Sequence, residues 1–288
     1  MKRFLLTAFI LLVLGVLVGG SIFTLWRVYK QRSLPEPPQK KVTEEELKAK
    51  RKEKQEVLIE TIKEIFVQES PSTSFSLGVY DLNHKEYFGY NDTNLQHAAS
   101  VSKVLTAVML LDKVDRGEMK LSDPMGNYTV EFQLEKLVNI SNEPSWALID
   151  EKLGVDTQTV FAKERLGLTG VDMKNNLMTV KDVTTLLTML AQGKVLSESS
   201  RAKLFSYMQK TESEDLFSPA LFKANVTFYH KTGKYLGEGH DAAIVKHRKN
   251  PFVLVAFSDN NTSPDLIARG KTLTKVAETV LEYFNEIK

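Results

Sequence analysis

The sequence predicts an α+β fold, with helices flanking one antiparallel sheet and a helical block inserted between the strands. Three observations carry this. Strand character occurs at Phe75 to Tyr90 and returns at Val226 to Ser258; an interrupted helical pattern fills Ala98 to Lys223 between them; and the last stretch, Pro264 to Ile287, keeps one apolar face. The 288 residues suffice for one well-buried domain with accessory segments left over, and the composition is ordinary for a globular chain. A net charge of +2, with Lys and Arg interspersed among Asp and Glu, argues against a nucleic-acid partner. The absence of cysteine excludes disulfides and thiolate metal sites and leaves the compartment open.

The N-terminus stands apart. Phe4 to Trp26 runs 23 residues without a charge, about fifteen of them Leu, Ile, Val or Phe, which is long enough to span a bilayer. Residues 1–27 therefore read as a single-pass anchor with the membrane as partner. A cleaved signal peptide competes, with Lys2-Arg3 as its basic start and Gly19-Gly20-Ser21 as a small-residue cleavage site, but the apolar run continues past those glycines. Five basic residues from Arg27 to Lys41 follow the run and only Lys2 and Arg3 precede it. That count favours a cytoplasmic C-terminal side, weakly, since long domains translocate largely regardless of flanking charge. Residues 28–54 read as a linker: Pro35, Pro37 and Pro38 hold the backbone extended, and a charged helix follows.

That helix opens at Thr43, whose spacing to Glu46 is that of a capping box. Leu47, Val57, Leu58, Ile62, Ile65 and Phe66 make it apolar toward its C-terminal half, placing the start of the domain near residue 55 and its extent at 55–288. Pro71 stops the helix. Phe75–Tyr80 and Glu86–Tyr90 form a hairpin around Asp81-Leu82-Asn83-His84-Lys85. From Val101 to Val114 the pattern is apolar nearly all round, as expected of a central, buried helix. Further helices fit Phe132–Asn139, Pro144–Leu153, Thr157–Leu166, Val180–Ala191 and Ser197–Met208. Strands at Val226–Thr232, Asp241–Lys246 and Phe252–Ser258 would pair as an antiparallel meander. The final helix would bury Ile267, Leu273, Val276, Val280, Leu281 and Phe284.

Three short stretches carry chemistry. Ser100 and Lys103 lie three apart at the start of the central helix, on one face, so a neutral lysine could activate the hydroxyl while the helix N-terminus faces an oxyanion. The spacing alone is weak, because Ser200 and Lys203 repeat it in a polar helix start, where a cap and a solvated lysine suffice. Lys231-Thr232-Gly233 lies on a strand; Gly233 permits close backbone approach and Lys231 offers a fixed charge for a carboxylate, the alternative being a strand end with a bulge. Ser141-Asn142-Glu143 precedes Pro144 and could serve only as capping groups.

In this order the three stretches resemble the penicillin-recognising serine hydrolases, most closely the class A β-lactamase-like family, over roughly residues 55 to 288. Leu153-Gly154, Leu166-Gly167, His230 before Lys231, and Asp241-Ala242-Ala243-Ile244-Val245 extend the likeness. The resemblance implies a β-lactamase-like fold: a five-stranded antiparallel sheet with an inserted helical subdomain. It implies Ser100 as acylated nucleophile, Lys103 as its proton acceptor and Ser141 as the shuttle to the leaving nitrogen. Lys231 and Thr232, beside Gly233, would bind the substrate carboxylate, and the amides of Ser100 and Lys234 would form the oxyanion hole. No cofactor or metal is implied. The ligand would be a β-lactam or a peptidoglycan stem peptide, and the domain would lie outside the cytoplasm at the cell membrane.

Two departures bear on the reaction. Glu143 stands where the family has an asparagine; it could pair with Lys103 and keep it charged, or act as a base itself. Class A enzymes draw on a glutamate in a long loop for deacylation, whereas the run from Leu168 to Leu177 is short and has none, and Glu164 falls earlier, at an expected surface position. Slow hydrolysis of the acyl-enzyme follows. A D-alanyl-D-alanine peptidase and an inactive peptide-binding module remain the alternatives. The five histidines form no metal set: His230 and His240 are expected along the cleft, and His84, His97 and His247 in turns or at the surface.

Overall fold

A computed structural model of the chain describes residues 15, 20–31, 43–260 and 265–287. It divides into two compact units, Met1–Lys50 and Arg51–Lys288. In the first, residues 20–31 are helical. Most of the expected anchor and all three prolines of the expected spacer lie outside the described residues. Among the described residues no helix is long and apolar enough to cross a membrane.

Helix α1 (Glu44–Glu69) opens on a formed capping box: Glu46 N donates to Thr43 Oγ1 at 3.2 Å and Thr43 N to Glu46 Oε2 at 3.0 Å. Its buried stripe is Gln55, Leu58, Ile62, Ile65 and Phe66. Val57 is exposed because it lies about a third of a turn from the centre of that stripe; Leu47, five turns before Ile65 and in line with it, is exposed in the first turn of the helix.

The five-stranded sheet contains β1 (Ser74–Asp81), β2 (Glu86–Tyr90), β3 (Thr227–Tyr235), β4 (Glu238–Lys246) and β5 (Phe252–Asp259) in the order β2-β1-β5-β4-β3. Every pairing is antiparallel, as the sequence predicts. The central strands read as continuous apolar runs because both faces are covered. On one face Leu77, Val79, Ala243, Val245, Leu254 and Ala256 pack with α1 and with the last helix, α9 (Leu266–Glu286). On the other, Ala242, Ile244, Val253, Val255 and Phe257 meet the inserted helices. Strand β3 is an edge strand, so one of its sides is left free of sheet pairing.

The hub of the helical block is α2 (Lys103–Asp115), whose first ten residues are buried. Around it lie α3 (Val130–Asn139), α4 (Glu143–Leu153), α5 (Val155–Val160), α6 (Val180–Ala191) and α7 (Glu198–Tyr207), whereas the short α8 (Ser218–Lys223) packs with the last helix on the other side of the sheet. The expected helix Thr157–Leu166 is not continuous: α5 passes into a wider π-type turn at Phe161–Arg165, which buries Phe161 and Ala162 and turns Glu164 outward. Ile267, expected on the apolar face of α9, is exposed in its first turn, off the stripe set by Leu273, Val276 and Val280.

Candidate active site

Ser100 sits on a 3₁₀ turn, Ala99–Ser102, that feeds α2. With three residues per turn, positions i and i+3 eclipse, so Ser100 and Lys103 remain on one side although the α-helix begins only at Lys103. Ala99 adopts a left-handed φ of 45°, uncommon for a residue with a side chain. Its carbonyl is held by Asn176 Nδ2 at 3.0 Å and Ser102 Oγ at 3.0 Å. Among the described residues the Ser100 hydroxyl makes no hydrogen bond.

Lys103 is directed away from a hydrogen bond with Ser100. Its ammonium donates to Ser141 O at 2.8 Å and Ser141 Oγ at 3.3 Å, ion-pairs with Glu143, and lies 4.6 Å over the Trp146 ring. Burial pulls the pKa of this fully buried amine below the ordinary lysine value, and Glu143 acts in the opposite direction. Ser141 takes a left-handed φ of 57° just before α4. Asn142 next to it caps that helix, accepting from Ser145 N at 2.9 Å, with Pro144 in the first turn. Within this tripeptide the middle residue is structural, while Ser141 and Glu143 reach Lys103.

Lys231 enters from β3, almost fully buried, and donates to Ser141 Oγ at 3.1 Å and Thr232 O at 2.8 Å. Burial and then the nearby Lys103 push its pKa down to about 7. Beside it the backbone of Gly233 comes so close to the nucleophile turn that a Cβ there would lie 3.1 Å from Ala98 O, Ala99 Cβ and Ser100 N. The Lys234 side chain turns outward to both oxygens of Asp215 at 2.6 Å. Ser100, Ser141, Glu143, Glu212, Lys231 and Thr232 line a cleft of about 270 Å³. Among the described residues no three His, Asp or Glu side chains are placed to hold a metal ion.

A family model for the β-lactamase enzyme family matches residues 57–141 and 147–284. The chain belongs to the β-lactamase enzyme family. Solved structures share its fold. An ancestral class A β-lactamase superposes with a TM-score of 0.73 at 20% identity, covering 79% of this chain and 100% of that one. PBP-A gives 0.72 at 22% identity over 80% and 96%. A β-lactamase from Xanthomonas campestris gives 0.73 at 20% identity over 80% and 98%. Comparison with curated proteins yields no match.

In this β-lactamase-family chain the histidines differ from expectation. His230 and His240 do not line the cleft: His230 faces the side of the sheet opposite to its strand neighbour Lys231, whereas His240 shares the Lys231 side but is buried, with Nε2 3.0 Å from His97 O. His230 lies between Asp241 (Nδ1 to Oδ1, 3.0 Å) and Glu214 (Nε2 to Oε2, 3.2 Å), and Thr211 Oγ1 is 3.1 Å from Nε2. Burial opposes its charge, yet the two carboxylates prevail and raise it to about 9. His240 stacks on Phe257 at 4.3 Å, and burial lowers it to about 4. His97, expected at the surface, is half-buried: Nδ1 lies 2.6 Å from Glu238 Oε2 and Nε2 3.1 Å from Asn176 Nδ2. His84 and His247 do sit in turns.

Sequence reasoning missed Asn176, Trp146 and Glu212. Asn176 closes the short run Leu168–Leu177, which folds as two two-residue strands around a 3₁₀ turn and carries no carboxylate from a glutamate. Its one signal in the sequence was its residue type, since asparagine tolerates the left-handed φ of 53° that Asn176 adopts. The second Ser-x-x-Lys pair is structural: Ser200 Oγ donates to Asp115 Oδ1 at 2.6 Å and Lys203 pairs with Glu131.

Proposed function

We propose that this chain is a membrane-anchored serine hydrolase that forms an acyl-enzyme at Ser100 with a β-lactam or a D-alanyl peptide and releases it slowly. The observation that carries the reading is the Ser141 hydroxyl, shared by Lys103 and Lys231 in the cleft that holds Ser100. Ser100 Oγ attacks the amide carbonyl carbon and its proton passes to Lys103, or to Glu143 through it. The amides of Ser100 and Lys234 receive the developing oxyanion, worth on the order of 3 kcal/mol per donor in related acyl transfers. Ser141 then hands a proton to the departing nitrogen as the C–N bond breaks, and Lys231 with Thr232 holds the substrate carboxylate. Water must next attack the ester, and the Leu168–Leu177 run supplies no glutamate to activate it.

Intact-mass measurement after adding benzylpenicillin tests this. A persistent adduct, absent in Ser100→Ala, supports the slow acyl-enzyme; rapid product without adduct points to an efficient β-lactamase, and neither outcome would leave only a peptide-binding module. The missing glutamate favours a second reading, a D-alanyl-D-alanine peptidase of cell-wall metabolism, in which release of terminal D-alanine from a stem peptide would be measured. The uncharged run from Phe4 to Trp26 supports an anchor with the domain outside the cytoplasm. A C-terminal fusion reporter active only in the cytoplasm would overturn that placement.

A further inference from the structure

Two charges of the cleft lack a partner in direct contact. Lys103 is paired with Glu143, and Lys234 with Asp215. Glu214 is committed to His230 and to Thr211, whose N–H donates to Glu214 Oε1 at 2.7 Å. Lys231 at the floor has only neutral acceptors, Ser141 Oγ and Thr232 O. Glu212 on the wall has no side-chain hydrogen bond or ion pair among the described residues, although its charge acts on Lys231. One unpaired cation and one unpaired carboxylate therefore face the same small space.

The wall that carries Glu212 is fixed. Its N–H donates to Asn139 O at 3.1 Å, and the Asn139 amide donates to Tyr207 O and Gln209 O, each at 3.1 Å. On the other side Thr211 and Glu214 tie the segment to buried His230. This frame fixes the backbone from which the exposed Glu212 side chain reaches the cleft, so the carboxylate is presented at a defined place, although its own rotamers are ordered only when a partner binds.

We propose that Glu212 is a specificity residue for a protonated amine on the ligand, so that the cleft selects zwitterionic acyl donors bearing a carboxylate and a free ammonium. Stem peptides with an unblocked diamino-acid side chain belong to this class, as do penicillins with an amino-substituted side chain. The inference rests on the acyl-enzyme reading, and the two are separated experimentally by measuring binding without chemistry.

Calorimetry on the Ser100→Ala chain at about pH 6 compares ampicillin with benzylpenicillin, which differ by one amine. The amine-bearing ligand is expected to bind about fivefold more tightly, the range of a part-exposed ion pair. Glu212→Gln in that background brings the ratio of the two affinities to about one, and Glu212→Lys inverts it. A ratio near one before the substitution, a preference that survives Glu212→Gln, or binding of neither ligand overturns the inference. Acylation of the native chain by benzylpenicillin without any amine preference overturns the inference alone. An amine preference lost in Glu212→Gln, without acylation of the native chain, supports Glu212 and overturns the acyl-enzyme reading instead.

Discussion

Lys103 and Lys231 donate to the same acceptor, Ser141 Oγ, at 3.3 and 3.1 Å. Two ammonium groups on one hydroxyl disfavour each other, and Lys231, with no carboxylate of its own, yields, its pKa brought down to about 7 by burial and by Lys103. Protonated Lys231 is the form that attracts a carboxylate. Affinity of the Ser100→Ala chain for benzylpenicillin should therefore fall as pH rises through about 7. In Ser100→Ala with Lys103→Met the neighbouring charge is gone and the falling limb should move to higher pH. A limb that stays in place would show that Lys103 does not set the titration.

Glu143 pulls the other way on Lys103, favouring its charged form. Glu143→Gln keeps the shape and removes the charge, so burial is opposed only by the weaker pull of Asp150 and a larger fraction of the amine is neutral at pH 7. If Lys103 accepts the Ser100 proton, acylation by benzylpenicillin at pH 7 should quicken, by up to about tenfold once the larger neutral fraction is set against the weaker base. Stopped-flow acylation rates decide it. A slowing of similar size would identify Glu143 as the group that carries the proton.

The sheet was legible in the sequence because its central strands are buried on both faces and the strands are bounded by turn residues. Phe252 to Ser258 is one apolar run ending at a polar turn, and the periodicity of α6 reproduces Val180–Ala191 without error. Spacing alone was too weak to select the site; the order of the three motifs and the family resemblance singled out Ser100, Lys103, Ser141 and Lys231, which the fold brings together from three segments. What pattern could not give was direction. His230 and Lys231 are neighbours on one strand, so one must face the cleft and the other the interior, and sequence does not say which. Glu212 was illegible for a different reason: an acid in a polar loop looks solvated until its neighbours' ion pairs are known.

Gly233 is where β3 meets the nucleophile turn. Its φ is not in the left-handed region, so the requirement there is space rather than conformation. In Gly233→Ala the new methyl group would stand 3.1 Å from Ala98 O and Ser100 N, both backbone atoms that can give only by a few tenths of an ångström. The chain should fold with a melting temperature close to that of the native protein while acylation falls by up to about 10²-fold, the penalty typical of a slightly misplaced reacting group. Unchanged acylation would show that Ser100 has freedom the close approach does not suggest.

His230 offers a test of how the cleft wall is held. Its folded pKa, about 9, lies above the ordinary 6.5, so the folded chain binds more protons across that interval. The contribution of the imidazolium to stability is thus full below about 6.5 and is lost as pH rises through about 9. Glu214 runs in the opposite sense: lowered from 4.5 to about 2, chiefly through His230 acting against its burial, it contributes above 4.5 and loses this as pH falls through about 2. The clamp is strongest between these limits, near pH 6. Lys231 works against it at higher pH, since its depressed pKa makes stability rise between about 7 and 10.5. For that reason the comparison must be made between variants rather than between pH values alone. His230→Gln leaves Asp241 and Glu214 without their shared cation and should cost about 3 kcal/mol at pH 6, and clearly less at pH 9.5, where the native imidazole is largely neutral. Urea unfolding of both proteins at the two pH values measures it. An equal loss at both would mean that His230 acts through packing and not through its charge.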